Sequence, residues 1–354
     1  MKSLRRKDPP TRGTTANPPN RFTATRREPL DIESPDGGDE REVHTTFYRD
    51  TSRTVLARND SPDIPFLFSL NPYRGCEHGC IYCYARTSHE YLGFSAGLDF
   101  ETKIMVKTDA PGLLANELSR KTWRPQPVAL SGNTDCYQPV ERTLRLTRRC
   151  LEVFHRFGNP VTVVTKNSLI ERDIDLLAAM ARRRTAHVSL SITTLDAQLA
   201  RTMEPRTSTP ANRLRTIRRL ADAGIPVGVL VSPVIPGLTG QELPAILRTA
   251  AEHGATTATY QLLRLAGPVE KLFRDWLARE YPLRAGKVVS GLLDVRRGKL
   301  NEARFGIRMT GEGATAEMLE NMFSLTAKKF GLAERWEELS TAAFRRDGEA
   351  DLFG

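Results

Sequence analysis

The sequence predicts an α/β fold: a partial (β/α)6 barrel of TIM type with parallel strands, followed by a mostly helical C-terminal extension. Three observations predict it. Short apolar, β-branched runs alternate with longer amphipathic runs across residues 64–282, the pattern of parallel strands joined by helical crossovers. Five or six such units in about 220 residues match a barrel or most of one. No G-x-G-x-x-G stands at the first strand–helix turn, which disfavours the doubly wound alternative.

Residues 1–46 read as a disordered Pro/Arg-rich tail. Pro9, Pro10, Pro18, Pro19, Pro29 and Pro35 are scattered among polar residues, basic first and acidic later, with little to bury; such composition does not offset its own ordering entropy. Phe66–Leu70 is then a strand entering a cysteine-rich loop, and Lys103–Lys107 a second strand. Pro111 opens a helix running to Arg120. Val128–Gly132 is a buried-type strand. Glu141–Phe157 is a helix with Leu144, Thr147, Leu151 and Phe154 on one face, ended by Gly158-Asn159-Pro160. Strands follow at Val161–Thr165, Ala186–Thr193, Ile225–Val231 and Thr257–Leu263. Helices alternate with them at Ile170–Arg184, Ala211–Ala223, Gln241–His253 and Pro268–Arg279. Residues 283–354 hold helices at Lys287–Arg297 and Ala314–Lys329 around the glycine-rich Gly306–Gly313, expected to cap the open edge of the barrel or to form a lid. Arg345–Gly354 is expected to fray.

The chain has 354 residues, a formal charge of +10 and a pI near 9.5. No apolar run is long enough to span a membrane, and no apolar h-region follows the basic N-terminus; the cytoplasm is the expected location. Five clustered cysteines fit metal binding in a reducing compartment better than disulfides. The charge suits a polyanionic partner such as nucleic acid, or equally a basic solvated surface.

The densest chemistry is Asn71-Pro72-Tyr73-Arg74-Gly75-Cys76-Glu77-His78-Gly79-Cys80-Ile81-Tyr82-Cys83-Tyr84. Cys76, Cys80 and Cys83 follow a C-x3-C-x2-C spacing. A closed structural zinc site takes four protein ligands, and iron–sulfur clusters usually take four cysteines. Three thiolates on one loop therefore suggest a cluster with one iron open to another ligand. The alternative is zinc with His78, His89 or Cys136 as the fourth ligand.

This spacing, with Tyr82 just before the third cysteine, resembles the signature loop of the radical S-adenosylmethionine (SAM) superfamily. Ser131-Gly132-Asn133-Thr134-Asp135, Thr165-Lys166 and Ser189-Leu190-Ser191 make the chain similar to its spore photoproduct lyase-like, DNA repair photolyase-like branch. The resemblance implies that Cys76, Cys80 and Cys83 hold a [4Fe-4S] cluster and that SAM chelates the fourth iron. Reduction by an external flavodoxin- or ferredoxin-type donor then yields a 5′-deoxyadenosyl radical. It further implies that Tyr82, Tyr84, Thr134, Lys166 and one of Ser189 and Ser191 contact the cofactor, with Glu204-Pro205-Arg206 and Val231–Gly237 nearby; Arg206 is accordingly a candidate cofactor-binding residue. In the lyase a hydrogen-donor cysteine stands three residues before the aspartate matching Asp135. Here that position is Gly132, and Cys136 is the candidate relay or donor thiol.

The expected function is a radical SAM enzyme acting on an unknown substrate, nucleic acid first among the candidates. A peptide or small-metabolite substrate is the second reading. A non-catalytic, metal-dependent nucleic-acid-binding module is the third.

Overall fold

The computed structural model describes residues 11–22 and 44–346. Its centre is a seven-stranded sheet in the order β10-β9-β8-β7-β6-β3-β2. Six of these strands run parallel: β3 (Phe68–Leu70), β6 (Val128–Leu130), β7 (Val161–Thr165), β8 (Ala186–Ser191), β9 (Val227–Val234) and β10 (Thr257–Leu262). β2 (Leu56–Arg58) adds to β3 antiparallel. The first and last strands do not pair, so the sheet forms the expected partial barrel.

Register divides each strand into two faces. Val128, Leu130, Val161, Val163, Val188, Leu190, Val227 and Val229 pack into the main apolar core with residues of the surrounding helices, among them Leu151, Phe154, Leu177, Ile217 and Ile246. The other face carries small or polar residues in rows across the sheet. Ser69 pairs with Ala129, Ala129 with Thr162, and Thr162 with His187. One step further along, Val164 pairs with Ser189, Ser189 with Gly228, and Gly228 with Thr257. The apolar runs that gave the strands away thus owe their continuity to one face, and the barrel interior is lined by the other.

Several elements differ from expectation. The helix expected over Glu141–Phe157 is two, Glu141–Leu144 and Leu146–Phe157, broken where Arg145 takes a left-handed φ of 51°. The buried Glu141 carboxylate accepts the Thr147 amide at 3.1 Å and so caps the second helix. Lys103–Val106 is a strand, β5, but it joins a separate small sheet with β1 (Thr46–Arg49) and β4 (Tyr73–Arg74). Residues 11–22 do not behave as a tail. Leu98 donates its amide to Ala16 O at 3.0 Å, and Arg21 pairs with buried Glu90. Gly13 lies so close to the cysteine loop that a Cβ there would fall 1.7 Å from Gly79 O. The rest of the segment expected to be disordered, 1–10 and 23–43, lies outside the described residues.

Beyond the barrel, helix Ala314–Lys329 packs on helix Leu243–Glu252, with Phe323 against Tyr260 of β10, ring centroids 4.7 Å apart. Ala258 donates to Ala333 O, and Leu262 to Met309 O. Of the two expectations for this region, the β10 edge is therefore capped. Arg345 and Arg346 are held, the former by Phe157 O and the latter by Trp123 O; the remainder of the expected frayed end is not described. No helix among the described residues is long and apolar enough to cross a membrane.

Candidate active site at the carboxyl ends of the strands

The cysteine loop leaves β4 and crosses the strand ends. Gly75 and Gly79 both take positive φ, 83° and 67°, beside crowded neighbours: a Cβ on Gly79 would meet Glu101 Oε2 at 2.7 Å. Glycine is required there on both counts. Behind the loop, wholly buried Arg86 donates to the carbonyls of Gly79, Cys80, Ala96 and Gly97 and pairs with wholly buried Glu101 at 2.6 Å. Glu101 also accepts the Gly13 amide at 2.9 Å.

Two of the three residues between the first cysteines tie the loop to the barrel. Glu77 accepts the Val140 amide at 2.8 Å and pairs with Arg206 at 3.2 Å, while its own amide donates to Gln138 Oε1. His78 faces Asp135 at 3.4 Å and Asn167 at 3.2 Å. Asp135 accepts the Lys166 and Tyr137 amides and the Thr165 hydroxyl. Burial opposes its ionisation, but His78 and these donors outweigh burial and hold its pKa below the usual carboxylate value.

Facing the loop, Lys166 Nζ donates to Ser191 Oγ at 2.6 Å and Ser232 O at 3.1 Å and stands 3.3 Å from Glu204. Glu204 is buried, and its carboxylate accepts from Tyr82 and Arg213, and from Thr193 at 2.7 Å. Burial would raise its pKa; Arg213 and Lys166 reverse the sign and drive it strongly down. The site therefore carries a fixed, ionised carboxylate with two cations on it. Tyr82 lies with its ring 5.7 Å from Lys166 Nζ. Tyr84 is half exposed and donates to Gly132 O at 2.8 Å.

The structure thus brings together Cys76, Cys80, Cys83, Tyr82, Tyr84, Lys166 and Ser191, with Ser189 one pleat deeper on the same face. Thr134 is near, but its hydroxyl donates to Tyr73 O at 2.7 Å. Arg206 reaches Glu77 of the loop, so its visible work is to hold the loop. Cys136 lies apart from these residues. Its side chain is wholly buried in the apolar core with Leu130, Tyr137 and Cys150, and burial raises its thiol pKa well above the ordinary value. It follows the strand end in the direction of the helices, not of the mouth. Arg86, Glu101 and Arg213 escaped sequence reasoning, because a buried arginine in a helix reads like a solvated one; His78 entered it only as a possible zinc ligand, and Glu204 only as part of the Glu204-Pro205-Arg206 segment.

The three thiols suit the [4Fe-4S] cluster that the resemblance implies. All sit on one loop, Cys76 and Cys80 are each 7% exposed, and burial raises all three pKa values. Buried thiols of this kind become thiolates when a metal takes the proton's place on sulfur and the proton leaves to solvent. Among the described residues no three His, Cys, Asp or Glu side chains gather as for a single ion; a multi-iron cluster takes its thiolates on separate corners. His78 is engaged with Asp135 and Asn167, and His89 is packed between Phe94 and Phe100.

Comparison with known proteins agrees. The family model of the Radical SAM superfamily matches residues 70–250. The uncharacterised protein Rv2578c of Mycobacterium tuberculosis is 40% identical over 240 residues, 67% of this chain and 71% of that one. The uncharacterised protein MJ0683 of Methanocaldococcus jannaschii is 26% identical over 215 residues, 61% and 76%. Among solved structures, a mutant spore photoproduct lyase aligns with a TM-score of 0.59 at 19% identity, covering 86% of this chain and 87% of that one. Spore photoproduct lyase complexed with dinucleoside spore photoproduct aligns at 0.56 and 18%, covering 82% of each. The family match over half the chain and the 40% identical relative, set on a partial barrel with this cysteine loop at its mouth, show that the chain belongs to the radical SAM superfamily, whose cofactors are a [4Fe-4S] cluster and SAM.

Proposed function

We propose that this radical SAM enzyme acts on nucleic acid, with Cys76, Cys80 and Cys83 holding the cluster and Tyr82, Tyr84, Lys166, Ser189 and Ser191 lining the place of SAM. The observation that carries the assignment of residues is the Lys166–Ser191–Glu204 array at the ends of β7 and β8, opposite the cysteine loop. When bound, the reduced cluster and SAM supply a 5′-deoxyadenosyl radical that abstracts hydrogen. The chain's own residues position and shield. Lys166 is held at the strand ends by Ser191, Ser232 O and Glu204, where its ammonium can meet a carboxylate. Arg213 keeps Glu204 ionised and so fixes Lys166. Tyr82 covers the array from the loop side.

The nucleic-acid reading is supported by the +10 charge and by the shared fold with a lyase complexed with a dinucleoside. The chemistry after hydrogen abstraction differs from a route through a thiol at position 132. Gly132 stands where a Cβ would lie 2.7 Å from Ser69 Cβ, so a cysteine does not fit without movement. We assign electron delivery to an external flavodoxin- or ferredoxin-type protein in the cytoplasm.

Anaerobic reconstitution followed by dithionite and SAM tests the assignment. Formation of 5′-deoxyadenosine, or a cluster spectrum that changes when SAM binds, is the expected result. A colourless protein holding one zinc, with neither response, sinks it in favour of a binding module.

A further inference from the structure

We propose that Arg264, at the rim of the barrel beside Tyr84, anchors a backbone phosphate of the nucleic-acid substrate; this rests on the nucleic-acid reading above. Arg264 follows the end of β10 in extended chain. Leu263 and Leu265 on either side are buried in the apolar cluster that includes Tyr82 and Ile235, and their amides donate to Val234 O and Leu300 O. The guanidinium between them therefore faces the other way, into the neighbourhood of Tyr84, Asp63, Arg296 and Arg308.

Its neighbours are committed and Arg264 is not. Arg308 pairs with Asp63 and donates to Ser61, while Gly306 N donates to the same Asp63 carboxylate at 2.7 Å. Arg296 is buried and donates to the carbonyls of Leu262, Leu263 and Arg308. Arg264 makes no hydrogen bond or ion pair with any described residue, although it is partly buried. Burial, then the charge of Arg308, pushes its pKa down, so an anion arriving there relieves a cost already present in the fold. Asp63, the carboxylate nearby, is already neutralised by Arg308.

The ligand chemistry follows from what surrounds the guanidinium. A planar fork of donors suits a phosphate. The half-exposed Tyr84 ring beside it suits a base stacked next to that phosphate. Tyr84 is also the residue next to Cys83, so a nucleotide held by this pair lies at the cluster loop.

The test uses the full-length, cluster-reconstituted protein and a fluorescein-labelled single-stranded oligonucleotide, followed by anisotropy over a salt series. Arg264→Gln is expected to weaken binding about tenfold and to lower the salt slope by about one. Arg264→Lys is expected to keep the slope while binding less tightly. The control is Arg274→Gln on the outer helix Val269–Glu280, where Arg274 pairs with Glu270 at 3.5 Å. It removes the same charge and is expected to stay within twofold of wild type. Melting curves establish that each variant is folded, and Arg264→Lys stands in if the glutamine variant is not. If Arg264→Gln binds like Arg274→Gln, the anchor is wrong and the nucleic-acid reading survives. If wild type binds no oligonucleotide even at low salt, both fall.

Discussion

At the amino ends of the central strands, His187 lies against Trp336 with ring centroids 4.9 Å apart, and Phe344 against Phe157 at 6.3 Å. The C-terminal segment crosses there, its amides at Ser340 and Arg345 bonded to Arg184 O and Phe157 O. At the carboxyl ends of the same strands the buried groups are Glu204, Arg213 and His78, with Asp135 and Lys166 nearly so. One end is closed by aromatic packing and neutral imidazole, the other by paired charge. Apolar closure stabilises in proportion to the area buried. Paired charge in the interior gains little net stability, because desolvation consumes most of the attraction. The buried charge pairs at Glu204 and Asp135 stand at the end that carries the cysteine loop.

The comparison can be broken most severely at the loop itself. Replacing Cys76, Cys80 or Cys83 by alanine removes a thiolate that no neighbouring cysteine replaces, since Cys136 and Cys150 are in the core. Iron and sulfide content and the visible absorbance should fall to background. Next is Glu204→Gln, which leaves Arg213 buried without its counter-charge. A loss of about 3 kcal/mol in denaturant stability is expected, together with loss of SAM binding measured calorimetrically. Phe344→Ala at the opposite end should cost about 3 kcal/mol while SAM affinity stays within twofold. Equal damage to SAM binding by both would dissolve the distinction between the ends.

The smallest effect is a pH dependence. Burial lowers the His187 pKa to about 4, against about 6.5 in the unfolded chain. Above pH 6.5 both states are neutral and stability is at its full value. As pH falls from 6.5 towards 4, only the unfolded chain gains the proton, so stability drops by about 1.4 kcal/mol per pH unit. Buried His89, its pKa also lowered to about 4, adds a slope of the same sign, so His187→Gln should reduce the slope of the stability–pH curve in that window without abolishing it, read from denaturant midpoints.

The alternation of Val161–Thr165, Ala186–Ser191 and Val227–Val234 with helices was legible because one face of every strand is apolar. Cys76, Cys80 and Cys83 were legible as candidate cluster ligands because three thiols within eight residues leave few other uses. Lys166 was legible as a residue following a strand, since parallel strands deliver their carboxyl ends to one mouth, and Ser191 through the family resemblance. Other features depend on partners distant in sequence. The break at Arg145 needs the buried Glu141 as a cap, and Glu141 is buried because Arg172 and Tyr73 meet it. Lys103–Val106 has strand composition, but composition does not say which sheet it joins. Residues 11–22 look too polar to fold because their partners, Glu90 and Glu101, are about 70–90 residues away. Cys136 sits one residue past a site aspartate, and that single step turns it into the core.

The two faces of the sheet separate what holds the protein up from what it can hold. Val188 and Leu190 carry stability on the helix side; Ser189 and Ser191, their immediate neighbours, line the interior. Substitutions at the interior positions change a ligand's surroundings without opening a cavity in the core. The inner row, and not the framework that carries it, therefore decides what the barrel can hold.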